Sequence, residues 1–230
     1  MKKTFILGLF IALAGAAQAQ LTVGLKGGSA LSDWNASSDT SQIDIISKYG
    51  GNFALVLEYQ PVERLSLRIE PGWSGRGATI HQDGTATIDG IEYEGFYREE
   101  YDINYFDIPI MAQVNFGDGP LRIRFLAGYN FSYATGGEVL ERFSVDPPVN
   151  GIGDIRNTEN LNFNDRNWNT RDNALIFGGG INFFFGRHVA LRLDARYFVG
   201  QTDLFLDDEV EAFNRTWMLN IGLEYRFEFY

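Results

Sequence analysis

Cysteine is absent from the 230 residues, and so is any apolar run long enough to form a membrane-spanning helix. Without thiols there is no disulfide framework and no thiol nucleophile, so an exported chain of this kind must be held by its backbone ladder and packing. The longest apolar candidate, Leu175 to Phe185, is interrupted by Gly178, Gly179, Gly180 and Asn182. It falls well short of the ~20 residues a spanning helix needs. Positive charge is scarce. Nineteen Lys and Arg stand against 30 Asp and Glu, a formal net charge of -11. That balance argues against nucleic acid as a partner, because a phosphate backbone is bound by a basic face.

Aromatic residues are plentiful at 15%, yet the mean hydropathy is only -0.16. A helical membrane protein would be far more hydrophobic. A membrane barrel is not, because only every second strand residue meets lipid.

Residues 1–19 have the marks of a signal peptide. Lys2 and Lys3 form a basic start, Phe5 to Ala14 a short apolar core, and Ala17-Gln18-Ala19 a cleavage signal, which makes 20–230 one exported domain. No cysteine follows the cleavage site, so a lipid anchor there is not expected.

Eight segments then alternate apolar and polar residues, the period of a strand with two unlike faces. The last shows it best: Trp217, Leu219, Ile221, Leu223, Tyr225 and Phe227 alternate with Thr216, Met218, Asn220, Gly222, Glu224 and Arg226. The first sets Leu21, Val23 and Leu25 against Thr22, Gly24 and Lys26, and the third sets Leu65, Leu67, Ile69 and Trp73 against Ser66, Arg68, Glu70 and Gly72. The connections alternate in length. Short turns fall at Pro61 to Arg64, Gly117 to Pro120 and Gly186 to His188. Long loops are expected at Leu31 to Tyr49, Gly77 to Asp102, Thr135 to Asp172 and Gln201 to Asn214. This pattern predicts an all-β fold: an eight-stranded antiparallel up-and-down transmembrane β-barrel with long extracellular loops, in the outer membrane of a Gram-negative bacterium.

A soluble barrel with an apolar cavity would show the same alternation inverted. Two features oppose it. The apolar phase is too bulky to fit inside so narrow a barrel. The glycines, among them Gly24, Gly28, Gly72, Gly128, Gly178, Gly180 and Gly222, fall in the polar phase, as a crowded interior requires. Aromatics near the strand ends complete the picture. Trp73, Tyr133, Tyr197 and Trp217 are placed at the outer interface, and Tyr59, Phe116, Phe183 and Tyr225 at the inner one.

With lipid outside, the polar phase fills the lumen. Its charges are Lys26, Glu58, Arg68, Glu70, Asp107, Arg122, Arg124, Arg192, Asp194, Arg196, Glu224 and Arg226. Both signs are mixed, with a modest positive excess. Two readings follow: a paired network plugging the barrel, which is preferred because buried charges must be paired, or a narrow anion-preferring pore for small solutes or ions.

The loops carry most of the acids, including Asp83, Glu92, Glu94, Glu99, Glu100, Asp207, Asp208 and Glu209, in no calcium-loop spacing. Ile88-Asp89-Gly90-Ile91 signals a type I′ hairpin, so the third and fourth strands should continue as a ribbon able to bind a partner along its edge. Tyr93 and Phe96 on that ribbon are candidate extracellular contacts, as are Phe163 and Trp168 in the third loop. The last two suit sugar stacking or, preferably, a hydrophobic anchor that folds the loop over the barrel mouth. No catalytic, cofactor or metal pattern stands out. His188 has Ala190, not Ser, two residues on, and His81 has no obvious nucleophile nearby, so an enzyme, such as a lipid-modifying barrel, is the less favoured reading.

The chain resembles the PorT-like outer-membrane β-barrel family, often labelled "porin family". The resemblance is carried by Gly24-Leu25-Lys26-Gly27-Gly28, Tyr105-Phe106-Asp107-Ile108-Pro109, Ala127-Gly128, Gly178-Gly179-Gly180 and Asp194-Ala195-Arg196-Tyr197. The alternating, aromatic C-terminal strand looks like the signal read by barrel-insertion machinery. The resemblance implies barrel and location and carries over no catalytic residue. Outer-membrane lipid, that machinery during assembly, and an envelope protein or surface ligand at the loops are the implied partners.

Overall fold

The computed structural model describes residues 20–37, 43–88, 91–145, 155–163, 168–206 and 211–228. The targeting segment, the Asp89-Gly90 turn, Pro147-Pro148-Val149-Asn150-Gly151 and the run Asp207-Asp208-Glu209 lie outside the described residues. The strands are β1 (Gln20–Ser37), β2 (Ile43–Val62), β3 (Leu65–Ile69), β4 (Gly72–Arg76), β5 (Ala78–Ile88), β6 (Ile91–Phe116), β7 (Leu121–Val145), β8 (Ile155–Asn160), β9 (Ala174–Phe185), β10 (Val189–Gly200) and β11 (Glu211–Glu228).

β3, β4 and β5 are one barrel strand in three pieces. The first break falls at Glu70-Pro71, because proline has no N–H to give to the ladder. The ladder passes around it, with Leu55 N donating to Pro71 O at 3.0 Å and Glu70 N to Pro109 O at 3.2 Å. The second falls at Gly77, where the Ser32 hydroxyl accepts from Gly77 N and donates to Gly77 O, each at 2.9 Å. The ring is then β1, β2, β3–β5, β6, β7, β9, β10 and β11, with β11 pairing back onto β1 and every pairing antiparallel.

Paired residues can be followed once round the wall. Thr22 faces Glu58, then Arg68, Met111, Gly128, Ile176, Phe198, Thr216 and finally Ser32. The circuit returns to β1 ten residues higher than it began. That stagger tilts the strands and leaves an interior that side chains can fill.

The outer wall is apolar, as the alternation requires. Leu219 is 62% exposed and Phe125 59%, while the alternate residues are buried inside. Trp73 packs on Phe106 and Tyr197 on Trp217 at one end of this band, and Tyr225 on Phe227 at the other. Trp217 and Tyr225 are eight residues apart on β11. At about 3.3 Å per residue and a tilt near 40°, that spans roughly 20 Å, the scale of an outer-membrane apolar band.

The second long connection continues as the expected ribbon, with β5 paired to β6, but the first and third differ from the sequence expectation, because much of each is strand as well. β1 runs on to Ser37 and β2 begins at Ile43; β6 and β7 stay paired up to Gly95 and Val145; β8 adds to the outer edge of β7. These extensions form a crown above the membrane. A bulge at Thr135, left unpaired between the Asn104–Gly136 and Tyr105–Ala134 pairs, re-aims β7 by one residue where it enters the crown.

Candidate functional site

Inward-pointing residues of all eight strands meet in the lumen, and their order along the barrel follows from the register. Nearest the periplasmic end lies a charge network centred on Arg68 and Glu70. Arg68 bonds Glu58 at 2.8 Å and Glu224 at 2.7 Å, and its Nε contacts Glu70. Glu70 also takes Lys26 at 2.7 Å and Arg196 at 2.5 Å. Arg192 bridges Glu58 at 2.8 Å and Glu224 at 3.2 Å. Asp194 accepts from Arg124 at 2.7 Å, Arg196 at 2.6 Å and Asn220 at 3.0 Å. Each of these charged residues is less than 8% exposed.

Above this network, an apolar wedge of Ala30, Met111, Leu126, Ala174, Ile176, Phe198 and Met218 fills one side of the lumen. A cavity with room for about one water remains beside it, between Lys26, Asn52, Glu70, Asp107 and Asn130.

A second polar cluster lies higher. Arg76 bonds Asp107 at 2.5 Å and Asp172 at 2.8 Å, and lies 4.2 Å from the Tyr105 ring centre. Ser74, Asn130 and Ser132 also donate to Asp107, and Asn214 donates to Asp172 at 2.9 Å. Over it sits an aromatic cap: Trp34, Tyr101 and Trp168, with Phe205 edge-on, packed against Ile103, Leu161 and Leu204.

Of the twelve charges assigned to the lumen, Lys26, Glu58, Arg68, Glu70, Arg124, Arg192, Asp194, Arg196 and Glu224 meet in the lower network and Asp107 joins the upper cluster. Arg122 and Arg226 lie instead at the periplasmic rim, stacked on the Phe184 ring at 4.8 and 4.4 Å and partly exposed. Sequence reasoning missed Arg76 and Asp172, which stand at the ends of expected loops. The two rim residues change the balance, while Arg76 and Asp172 add one charge of each sign. Among the described residues, the interior cations are Lys26, Arg68, Arg76, Arg124, Arg192 and Arg196, and the interior carboxylates Glu58, Glu70, Asp107, Asp172, Asp194 and Glu224. The signs cancel, so the expected positive excess is absent.

Trp168 is 2% exposed within the cap, and Phe163 packs against it, which leaves Trp168 no face for a sugar. Tyr93 and Phe96 lie on the β5–β6 ribbon, on opposite faces, with Phe96 beside His81. His188 stacks on Tyr225 in its periplasmic turn, its Nδ1 3.1 Å from Arg226 O.

A closed barrel with an apolar outer wall, aromatic belts and a charged, filled interior is an integral outer-membrane protein. Residues 16–206 match the family model of the outer membrane protein beta-barrel domain, and the chain belongs to that family. No curated protein matches the chain. Among solved structures it is similar to Neisserial surface protein A, at 13% identity over 90% of this chain and 97% of that one, TM-score 0.45. It is similar also to outer membrane protein W of E. coli, at 10% identity over 92% and 98%, TM-score 0.44. The N-terminal β-barrel domain of OprF from Pseudomonas aeruginosa gives 11% identity over 91% and 100%, TM-score 0.38.

Proposed function

We propose that the barrel is a closed anchor and that its working part is the crown, which engages a ligand or partner at the cell surface. The observation that carries this reading is the lumen. Its charges cancel, its wedge is apolar, and its mouth is capped by aromatics. A conduit needs a continuous water path, and an eight-stranded barrel has room for one only if its side chains are small. The role requires no catalysis. The resemblance to PorT-like proteins supports the narrower form of the reading, an accessory subunit of an envelope assembly. In the same reading, the regular alternation of β11 guides insertion by barrel-assembly machinery, and the apolar wall then takes outer-membrane lipid as its solvent.

Planar-bilayer recording of the purified full chain tests it. Silence at 100 mV is the expected result, whereas reproducible unitary current steps would make the barrel a pore. Mild-detergent purification from the native membrane would then quantify any stoichiometric partner.

A further inference from the structure

Ala112 and Ala127 face each other across the β6–β7 ladder on the lipid side of the wall, and both are exposed. Directly paired residues share one face of a sheet, so the two methyl groups lie side by side. Their neighbours on that face are large: Leu67 on the β3 side, Phe177 on the β9 side, Phe125 below, and Ile110 and Tyr129 above. A groove of about 460 Å³ results. It runs from the alanine pair down past Leu65 to Pro61, and its lining is almost wholly apolar. Phe116 packs edge-on against Phe125 at its lower rim.

The groove occupies one half of the apolar band. On β6, Phe106 of the outer belt lies six residues above Ala112, and Phe116 at the inner interface lies four below. At about 3.3 Å per residue and the barrel's tilt, the alanine pair stands roughly 10 Å above that inner interface. An apolar band about 25 Å tall gives each leaflet about half, so the groove has the depth of one leaflet. Ile110 and Tyr129 close it toward the other. The leaflet it opens into is the periplasmic one, which in an outer membrane is phospholipid. Lipid tails are as apolar as the wall, so no hydrophobic driving force singles out a site there. Close packing along both sides of a chain can, and so can a headgroup contact. The structure offers the second as well. Arg64 directly precedes Leu65, and Asn115 N donates to Arg64 O at 2.8 Å, which ties the β2–β3 turn to the end of β6 beside the groove. The Arg64 side chain is exposed and makes no ion pair or hydrogen bond among the described residues. A guanidinium takes two phosphate oxygens at once, and the exposed Glu63 beside it suits the amine of a zwitterionic headgroup.

We propose that this groove holds one phospholipid of the periplasmic leaflet, with an acyl chain laid over Ala112 and Ala127 and the phosphate on Arg64. The site lies on the wall and not on the crown, and it stands whether or not the lumen conducts.

Native mass spectrometry of the delipidated full chain in a nonionic detergent tests it. The probes are palmitoyl-oleoyl phosphatidylethanolamine and palmitoyl-oleoyl glycerol, which carries the same chains without a headgroup. The wild type should take up one phosphatidylethanolamine at saturation. A112F/A127F fills the groove from the lipid side and should bind it roughly tenfold more weakly. R64A should weaken phosphatidylethanolamine several-fold and leave the glycerolipid unchanged. L223F adds bulk to the outer wall on β11, away from the groove, and should bind as the wild type does. If the double variant fails the heat-modifiable mobility check, A127L alone should still weaken binding several-fold. Equal binding by wild type and groove variants would overturn the proposal. So would an equal loss in L223F, an unchanged R64A, or hexa-acylated lipid A taken up by the wild type and lost in A112F/A127F.

Discussion

At the scale of single residues, Glu70 is the hinge of the lower network. Among the described residues it alone holds Lys26, Arg68 and Arg196 together, and it is fully buried. Replacing it with Ala leaves three cations facing one another without their shared counter-charge. The expected cost is about 3–5 kcal/mol, the range for breaking a buried ion pair by removing one partner. Urea unfolding in detergent, followed by tryptophan fluorescence, should show a correspondingly lower midpoint, and an unchanged midpoint would mean the network is not held as described. Gly128 gives a steric test of the same interior. A Cβ built there would lie 2.2 Å from Ile110 O and 2.7 Å from the Met111 Cα, both on the neighbouring strand. Gly128→Ala should therefore already lower the folded fraction on heat-modifiable gels, and Gly128→Trp should abolish it. Gly119, whose Cβ would meet nothing within 4 Å, should accept Ala without effect.

At the scale of elements, the membrane-level strands and the β5–β6 ribbon were legible in the sequence and the rest of the crown was not, for a physical reason visible on β6. Within the membrane the apolar residues are the outward ones, Phe106, Ile108 and Ile110. Above it they are the inward ones, Tyr101, Ile103 and Tyr105, because water replaces lipid outside and the aromatic cap replaces the charge network inside. The hydrophobic phase changes sides by one residue at Tyr105–Phe106, and a period-two reading ends the strand there. Arg76 and Asp172 were lost with it, since both seemed to border loops. Their ion pair fastens the third connection to the barrel, with Trp168 inserted just above. Trp168→Ala should cost about 3–5 kcal/mol locally and Asp172→Ala about 1–3 kcal/mol. Both should speed proteolysis within residues 160–171 while the barrel keeps its heat-modifiable mobility. Cleavage at the wild-type rate would show that the cap does not depend on them.

At the scale of the whole molecule, the neutral interior means that the net negative charge lies outside the lumen, much of it on the crown. The closures are also redundant. The lower network, the wedge, the upper cluster and the cap follow one another along the barrel, each built from different residues. Opening one should not open the barrel. Arg68→Ala/Glu70→Ala removes one charge of each sign, and the lumen stays neutral and remains blocked above by Phe198, Ile176 and the Arg76 cluster. This variant should be less stable yet electrically silent in planar bilayers. Adding Arg76→Ala, Asp172→Ala and Trp168→Ala removes two further closures, again without changing net charge. Any current should first arise there, and it should discriminate only weakly between anions and cations because the remaining interior charges are still balanced. Steps already present in the double variant, or a strong anion preference in the fuller one, would mean that water threads the lumen along a route the lower network alone controls.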